Sequence, residues 1–159
     1  APALLESRAV TARTISLPDA RLLPAPAFEM RVRVYYEDTD AGGIVYHANY
    51  LRYFERAREH VLGAGELVRL WREEQKGFVV YKATQQFKEG AVFGDILEIR
   101  SVARLESEYR VVFDQRVHRK SDGKLLVDAT IEMVCIDGQR RPVPIPMTEP
   151  LRELVKAAP

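Results

Sequence analysis

Asp40 stands two residues before the pair Gly42-Gly43 and seven before His47, with Tyr36 four residues upstream of it. A carboxylate, a histidine and a tyrosine so grouped suit attack by water on an acyl carbonyl. Asp40 can act as general base or as nucleophile. A helix pattern begins just after His47, and the N–H groups of a helix N-terminus favour negative charge nearby. The same amides can polarise a carbonyl oxygen and stabilise an oxyanion. Gly42 and Gly43 let the backbone approach a ligand closely. His47 can donate a hydrogen bond, bind substrate or move a proton, and Tyr36 can orient either group. Asn49 and Tyr50 follow at the helix start and complete the candidate substrate-binding set with the two glycines. Asp-Thr-Asp with Gly-Gly is also ordinary turn chemistry, so spacing alone leaves a structural turn and a catalytic loop both open. A lone histidine beside a helix start is more often structural. Glu37 and Asp38 fit loop-shaping better than chemistry.

The flanking patterns say what must hold this loop. Phe28, Met30, Val32, Val34 and Tyr36 alternate with Glu29, Arg31, Arg33 and Tyr35. That period of two predicts a half-buried strand with the Tyr36 ring on its core side. Beyond the loop, Tyr50, Tyr53, Phe54, Ala57 and Val61 form a stripe at helical spacing. Arg52, Glu55, Arg56, Arg58 and Glu59 fall elsewhere on the wheel. Asn49 is the expected N-cap, and Gly63-Ala64-Gly65 ends the helix. A second short helix is predicted from Glu66 to Glu74, with Leu67, Leu70 and Trp71 on one side and Gly77 as its stop.

Four more strands are predicted: Phe78 to Phe87, Asp95 to Leu105, Tyr109 to His118 and Leu125 to Ile136. Glu89-Gly90 bounds the first, Ser121-Asp122-Gly123-Lys124 is a hairpin signal between the last two, and Asp137-Gly138 ends the last. Prolines at 142, 144, 146 and 150 predict an extended tail with a last short helix from Leu151. The expected fold is α+β, with a mostly antiparallel five-stranded sheet wrapped over a central long helix. Hairpin-like turns are expected to join four of the strands. The other sheet face, or an edge, needs a partner, so an oligomer is expected. The Ala- and Pro-rich residues 1–27 are expected to form a flexible arm, residues 28–150 the domain, and residues 151–159 a tail.

Bulk properties narrow the class. The 159 residues suit one domain, with 47% hydrophobic and 30% charged residues. A net charge of +1 gives no case for a nucleic-acid partner. The single cysteine, Cys135, excludes an intramolecular disulfide and favours a reducing compartment. No apolar run reaches the roughly 18–20 residues of a spanning helix, and Glu6, Arg8 and Arg13 interrupt any secretory h-region. The expectation is a cytoplasmic protein, with peripheral attachment at the inner membrane left open. No metal site or cofactor is expected: His60 and His118 lack a second ligand at metal spacing, and Gly63-Ala64-Gly65-Glu66 lacks the third glycine and preceding strand of a dinucleotide loop. There is no Gly-x-Ser-x-Gly. Cys135 lies on the apolar face of the last strand and reads as core. Phe78 to Phe87 and Tyr109 to Val117 are expected, from their facing, to line a substrate tunnel.

The run Tyr36-Glu37-Asp38-Thr39-Asp40-Ala41-Gly42-Gly43-Ile44-Val45-Tyr46-His47-Ala48-Asn49-Tyr50-Leu51-Arg52-Tyr53-Phe54-Glu55 resembles the signature of hotdog-fold acyl-CoA thioesterases of the 4-hydroxybenzoyl-CoA thioesterase superfamily. Among these it is most similar to the Tol-Pal-associated branch. The resemblance runs from about Phe28 to Pro150 and leaves residues 1–27 uncovered. It implies a hotdog fold and hydrolysis of an acyl-CoA thioester to free acid and CoA, with no cofactor. It also implies Asp40 as the catalytic carboxylate, Tyr36 and His47 as further site residues, and an amide near His47 that polarises the thioester carbonyl. Homodimers or homotetramers with sites between subunits are implied, as is a link to acyl carrier protein or the Tol-Pal complex. The competing class is a non-catalytic module that binds acyl-CoA or acyl carrier protein as a scaffold in a cell-envelope complex.

Overall fold

The computed structural model describes residues 28–156, so the expected arm at 1–27 and the last three residues lie outside the described part. Strand β1 (Phe28–Arg33) leads through the motif loop into helix α1 (Asn49–Leu62) and then α2 (Ala64–Glu74). Strands β2 (Gly77–Phe87), β3 (Ile96–Ser107), β4 (Arg110–Arg119) and β5 (Leu125–Ile136) follow. A two-residue strand β6 (Pro142–Val143) and a helix α3 (Glu149–Lys156) end the described part. All pairings are antiparallel, and the order is β1-β3-β4-β5-β2, with β6 added on β5. This is the expected α+β hotdog arrangement.

One expectation about connectivity fails. β2 does not form a hairpin with β3; it pairs with β5 at the far edge of the sheet, with Phe87 opposite Val127. Residues 88–95 therefore cross from edge strand β2 past β5 and β4 to β3, which lies between β1 and β4. Glu89-Gly90 is part of this crossover rather than a hairpin turn, because alternation sets which face a residue takes and not which strand lies beside it. The β4–β5 hairpin forms as expected, with the Gly123 amide on the Arg119 carbonyl and Gly123 at φ +70°.

The α1 stripe behaves as its spacing predicts: Tyr50, Tyr53, Phe54, Ala57 and Val61 are all buried. They join Leu97, Ile99, Phe113, Val117, Ile131 and Met133 of the sheet in one core. Each large apolar side chain so buried stabilises the fold by about 1.5–3 kcal/mol. Leu151 and Leu154 of α3 join this cluster. Cys135 is buried, and burial pushes its thiol above the ordinary value.

Other local expectations are corrected. β1 stops at Arg33, because the Asp38 carboxylate accepts the Tyr35 amide at 2.8 Å and closes a 3-10 turn over Tyr36–Asp38. The Tyr36 ring consequently points outward, 82% exposed, edge-on to Phe93. Helix α1 is capped at Ala48, not Asn49. Helix α2 ends at Gln75 in the left-handed region, with its side-chain amide on the Trp71 carbonyl, and Gly77 already belongs to β2. Of its expected apolar side, Leu70 is buried while Trp71 remains half exposed. Arg58, placed off the apolar stripe, is buried because its guanidinium meets Gln115 across the core. His118, placed on a polar face, is also buried, where the β4–β5 ladder slips between Val117 and His118.

The outer sheet face carries a grid of ion pairs, including Arg31–Glu98, Arg100–Glu29, Arg104–Asp114, Arg116–Asp128 and Arg110–Glu132. Exposed pairs contribute at most about 1 kcal/mol each. No described helix is long and apolar enough to cross a membrane.

Candidate active site

The motif loop is tied down mainly through backbone groups. The Asp40 amide donates to Ile44 O at 2.9 Å and the Gly43 amide to Asp40 O at 3.0 Å. Gly43 sits at φ +79°, where a side chain would be strained. The Gly42 amide donates to Asp40 Oδ1 at 2.8 Å. Asp38 is the structural partner of this loop: its carbonyl accepts the Tyr46 amide and Asn49 Nδ2, both at 2.8 Å. Burial, and then the nearby Asp38 carboxylate, push the Tyr53 phenol above its usual value.

The crossover 88–95 supplies the facing wall. Ile44 pairs with Val92, and the Val45 amide donates to Ala91 O at 2.9 Å. The Tyr50 hydroxyl accepts the Ala91 amide at 3.4 Å, and burial lifts that phenol above its ordinary value. Arg119 fastens the crossover from β4: it donates to Gly90 O and Glu89 at 3.0 Å, to Asp95 at 3.2 Å and to Asp122 at 2.8 Å.

Between loop and crossover lies a hollow of about 300 Å³, lined by Asp40, Ile44, Val45, His47, Tyr50, Phe87, Lys88, Glu89 and Gly90. Aromatic rings shape one side: His47 stands edge-on to Phe87 at 6.2 Å, and Phe87 is 5.9 Å from Tyr50. Among the described residues, the amides of His47 and Ala48 donate to no backbone acceptor, and the first turn of α1 carries no acidic residue. The positive end of the helix is thus left for a ligand. A carboxylate, an imidazole and open amides around a largely apolar hollow can hold a carbonyl while water or the carboxylate attacks it.

Of the residues singled out from sequence, the hollow brings together Asp40, His47 and Tyr50. Gly42 supports the Asp40 carboxylate from behind, and Gly43 makes the turn. Asn49 is buried and holds the loop to the helix. Tyr36 lies outside the lining. Phe87 lies within the strand expected to line a tunnel, whereas Val111, Phe113 and Val117 of β4 are packed in the core. Sequence reasoning missed Lys88, Glu89, Gly90, Ile44 and Val45. For Lys88, Glu89 and Gly90 the signal was weak, a charged pair and a glycine after a strand remote in sequence from Asp40; Ile44 and Val45 lie inside the motif loop but carry no reactive group.

A family profile described as the thioesterase-like superfamily matches residues 34–156. The chain is 38% identical over 122 residues to the acyl-CoA thioesterase YbgC of Haemophilus influenzae, covering 75% of this chain and 88% of that protein. It is 40% identical over 111 residues to the acyl-CoA thioester hydrolase YbgC of Escherichia coli O6:H1, covering 69% and 82%. Among solved structures, a 1,4-dihydroxy-2-naphthoyl-CoA thioesterase from Synechocystis superposes with a TM-score of 0.73 at 25% identity, covering 82% of this chain and 96% of the other.

Proposed function

The chain belongs to the thioesterase-like superfamily, and from that membership we propose that it hydrolyses acyl-CoA thioesters to a free carboxylic acid and CoA. The observation that carries this is the hollow in which Asp40, His47 and the open start of α1 face one space. Asp40 is the reacting carboxylate. In one route it takes a proton from water as the water oxygen bonds to the thioester carbonyl. In the other it attacks the carbonyl itself to give a mixed anhydride, which water then cleaves. In both, the C–S bond breaks and CoA leaves as a thiolate that takes up the released proton. The amides near His47 hold the oxyanion, and His47 orients substrate or moves the proton. Tyr50 and the backbone at Gly42-Gly43 shape the binding space and Asn49 holds it in place; Tyr36, edge-on to Phe93 outside the lining, is assigned to orienting the substrate.

The homo-oligomer belongs to the same proposal. Among the described residues, edge strand β2 has a partner on one side only, and Val79, Val80, Tyr81 and Phe87 on it are exposed, as are Val68 and Trp71 on α2. A second copy paired along β2 would cover these and stand beside the Phe87 wall of the hollow. The acyl-CoA substrate and the lone Cys135 favour a cytoplasmic setting. Attachment at the inner membrane and a link to the Tol-Pal complex or acyl carrier protein are tested by co-purification from envelope fractions.

The deciding experiment is a hydrolysis screen of short, long and aromatic acyl-CoAs by free-thiol release, wild type beside Asp40→Asn. Turnover in wild type and its loss in the variant are expected. Binding without turnover across the panel would favour the non-catalytic scaffold module instead. Single turnover in ¹⁸O-water, with a search for label in Asp40, separates base from nucleophile.

A further inference from the structure

Between α1 and the sheet, inside an otherwise apolar core, lie three buried polar side chains: Arg58 (2% exposed), Gln115 and Ser101. Ser101 on β3 and Gln115 on β4 are direct cross-strand partners facing the helix. Arg58 Nη1 donates to Gln115 Oε1 at 2.7 Å. That bond fixes the amide orientation, because a guanidinium can only donate. Gln115 Nε2 is thereby turned to the Phe54 carbonyl of α1 at 3.2 Å and to Ser101 Oγ at 2.9 Å. The far side of the guanidinium pairs with the Glu55 carboxylate.

Stability alone is a poor reason for this cluster. Arg58 Nε is buried with no acceptor among the described residues, and taking a charge out of water carries a desolvation penalty that one ion pair does not reliably repay. Direction is what the cluster supplies. Apolar contact is non-directional, and a helix can settle on a neighbouring surface at more than one offset. Bonds from Gln115 to Phe54 and to Arg58 hold α1 at one offset along the sheet. The first turn of the same helix carries Asn49, bound to the loop at Asp38, and Tyr50, bound to the crossover at Ala91. A shift of α1 therefore strains both ties and displaces its open amides against the two walls of the hollow.

We propose that Arg58, Gln115 and Ser101 form a clamp that sets the axial position of α1, making Arg58 and Gln115 positioning residues for the hydrolysis assigned above. The clamp as a catalytic device rests on that thioesterase assignment. A misplacement of about 1 Å in a reacting geometry can cost about 100-fold in rate, so small slips of α1 are enough.

The test is the double variant Arg58→Met/Gln115→Met, which removes the buried charge and its partner together and so keeps the core filled. The expected result is an unchanged or raised melting temperature, kcat lowered at least about tenfold with KM within about twofold, and faster hydrogen exchange at the amides of residues 47–51. A folded double variant with wild-type kcat and wild-type exchange overturns the clamp. Should the double variant fail to fold, Gln115→Glu keeps a partner for Arg58 but loses the donor to Phe54; wild-type kcat in that folded variant also overturns it. If the wild type turns over no acyl-CoA, the thioesterase assignment fails by itself. Exchange at residues 47–51 then decides the clamp: loosening supports it, and unchanged protection overturns it.

Discussion

The Gly42 amide donates to Asp40 Oδ1 at 2.8 Å, and a Cβ on Gly42 would stand 3.1 Å from that same oxygen. The loop thus presses backbone against one oxygen of a carboxylate whose residue lines the hollow. Asp40→Asn keeps an oxygen for the Gly42 amide and loses the basic group. Acyl-CoA hydrolysis is expected to fall by about 10²- to 10⁴-fold with the melting temperature little changed. Steady-state kinetics beside thermal denaturation checks this, and wild-type-like turnover in the variant would remove Asp40 from the mechanism.

Gly90 and Ile44 are matched for close approach. A Cβ on Gly90 would meet Ile44 Cγ2 at 2.9 Å and Ile44 Cβ at 3.1 Å. Gly90→Ala is expected to cost about 1–3 kcal/mol by overpacking and to raise KM by pushing the loop from the crossover. Adding Ile44→Ala should recover part of both losses. Denaturant titration of the two single variants and the double variant reads the coupling; additive effects would contradict this contact.

Asn49 is buried with its Nδ2 on the Asp38 carbonyl. The Tyr46 amide still reaches that carbonyl when Asn49 is truncated. Asn49→Ala should therefore destabilise by about 1–2 kcal/mol rather than more, and should lower kcat because the start of α1 is no longer tied to the loop. Urea unfolding and kinetics on the same preparation test this. A stable variant with full activity would show that the bond does not position the site.

Acid should loosen the crossover. The Arg119 guanidinium, followed by Lys124, holds the Glu89 carboxyl below the ordinary range, with desolvation opposing. At Asp122, burial pulls upward, but the Lys124 amide and Arg119 outweigh it and the net shift is also downward. Folded values below unfolded ones mean stability that is complete above the ordinary carboxylate value of about 4 and is lost as pH falls through the lower folded values. Melting temperatures measured downward from pH 7 should drop below about pH 4, and Arg119→Met should flatten that drop. An equally steep acid profile in the variant would assign the loss to other carboxylates.

Much of this protein is written in short-range pattern. The helical stripe of α1, the alternation of β3, β4 and β5, and the hairpin at Ser121–Lys124 follow from side-chain period and turn chemistry, which act within a few residues. The motif from Tyr36 to Tyr50 marks the site for the same reason, since strand, turn and helix start are contiguous. Tertiary structure decided what pattern cannot carry. Pattern marks Phe78 to Phe87 as a strand, but not that β2 lies beside β5, so the crossover 88–95 and its wall of the hollow were out of reach. Tyr36 continues the alternation of β1, yet the Asp38 carboxylate turns the chain and leaves the ring exposed. Arg58 is charged and reads as surface; it is buried only because Gln115, 57 residues away, offers a partner through the core. Local propensity fixes what each segment becomes. Which segments meet depends on long-range burial and polar pairing, and in this protein that meeting forms the hollow around Asp40.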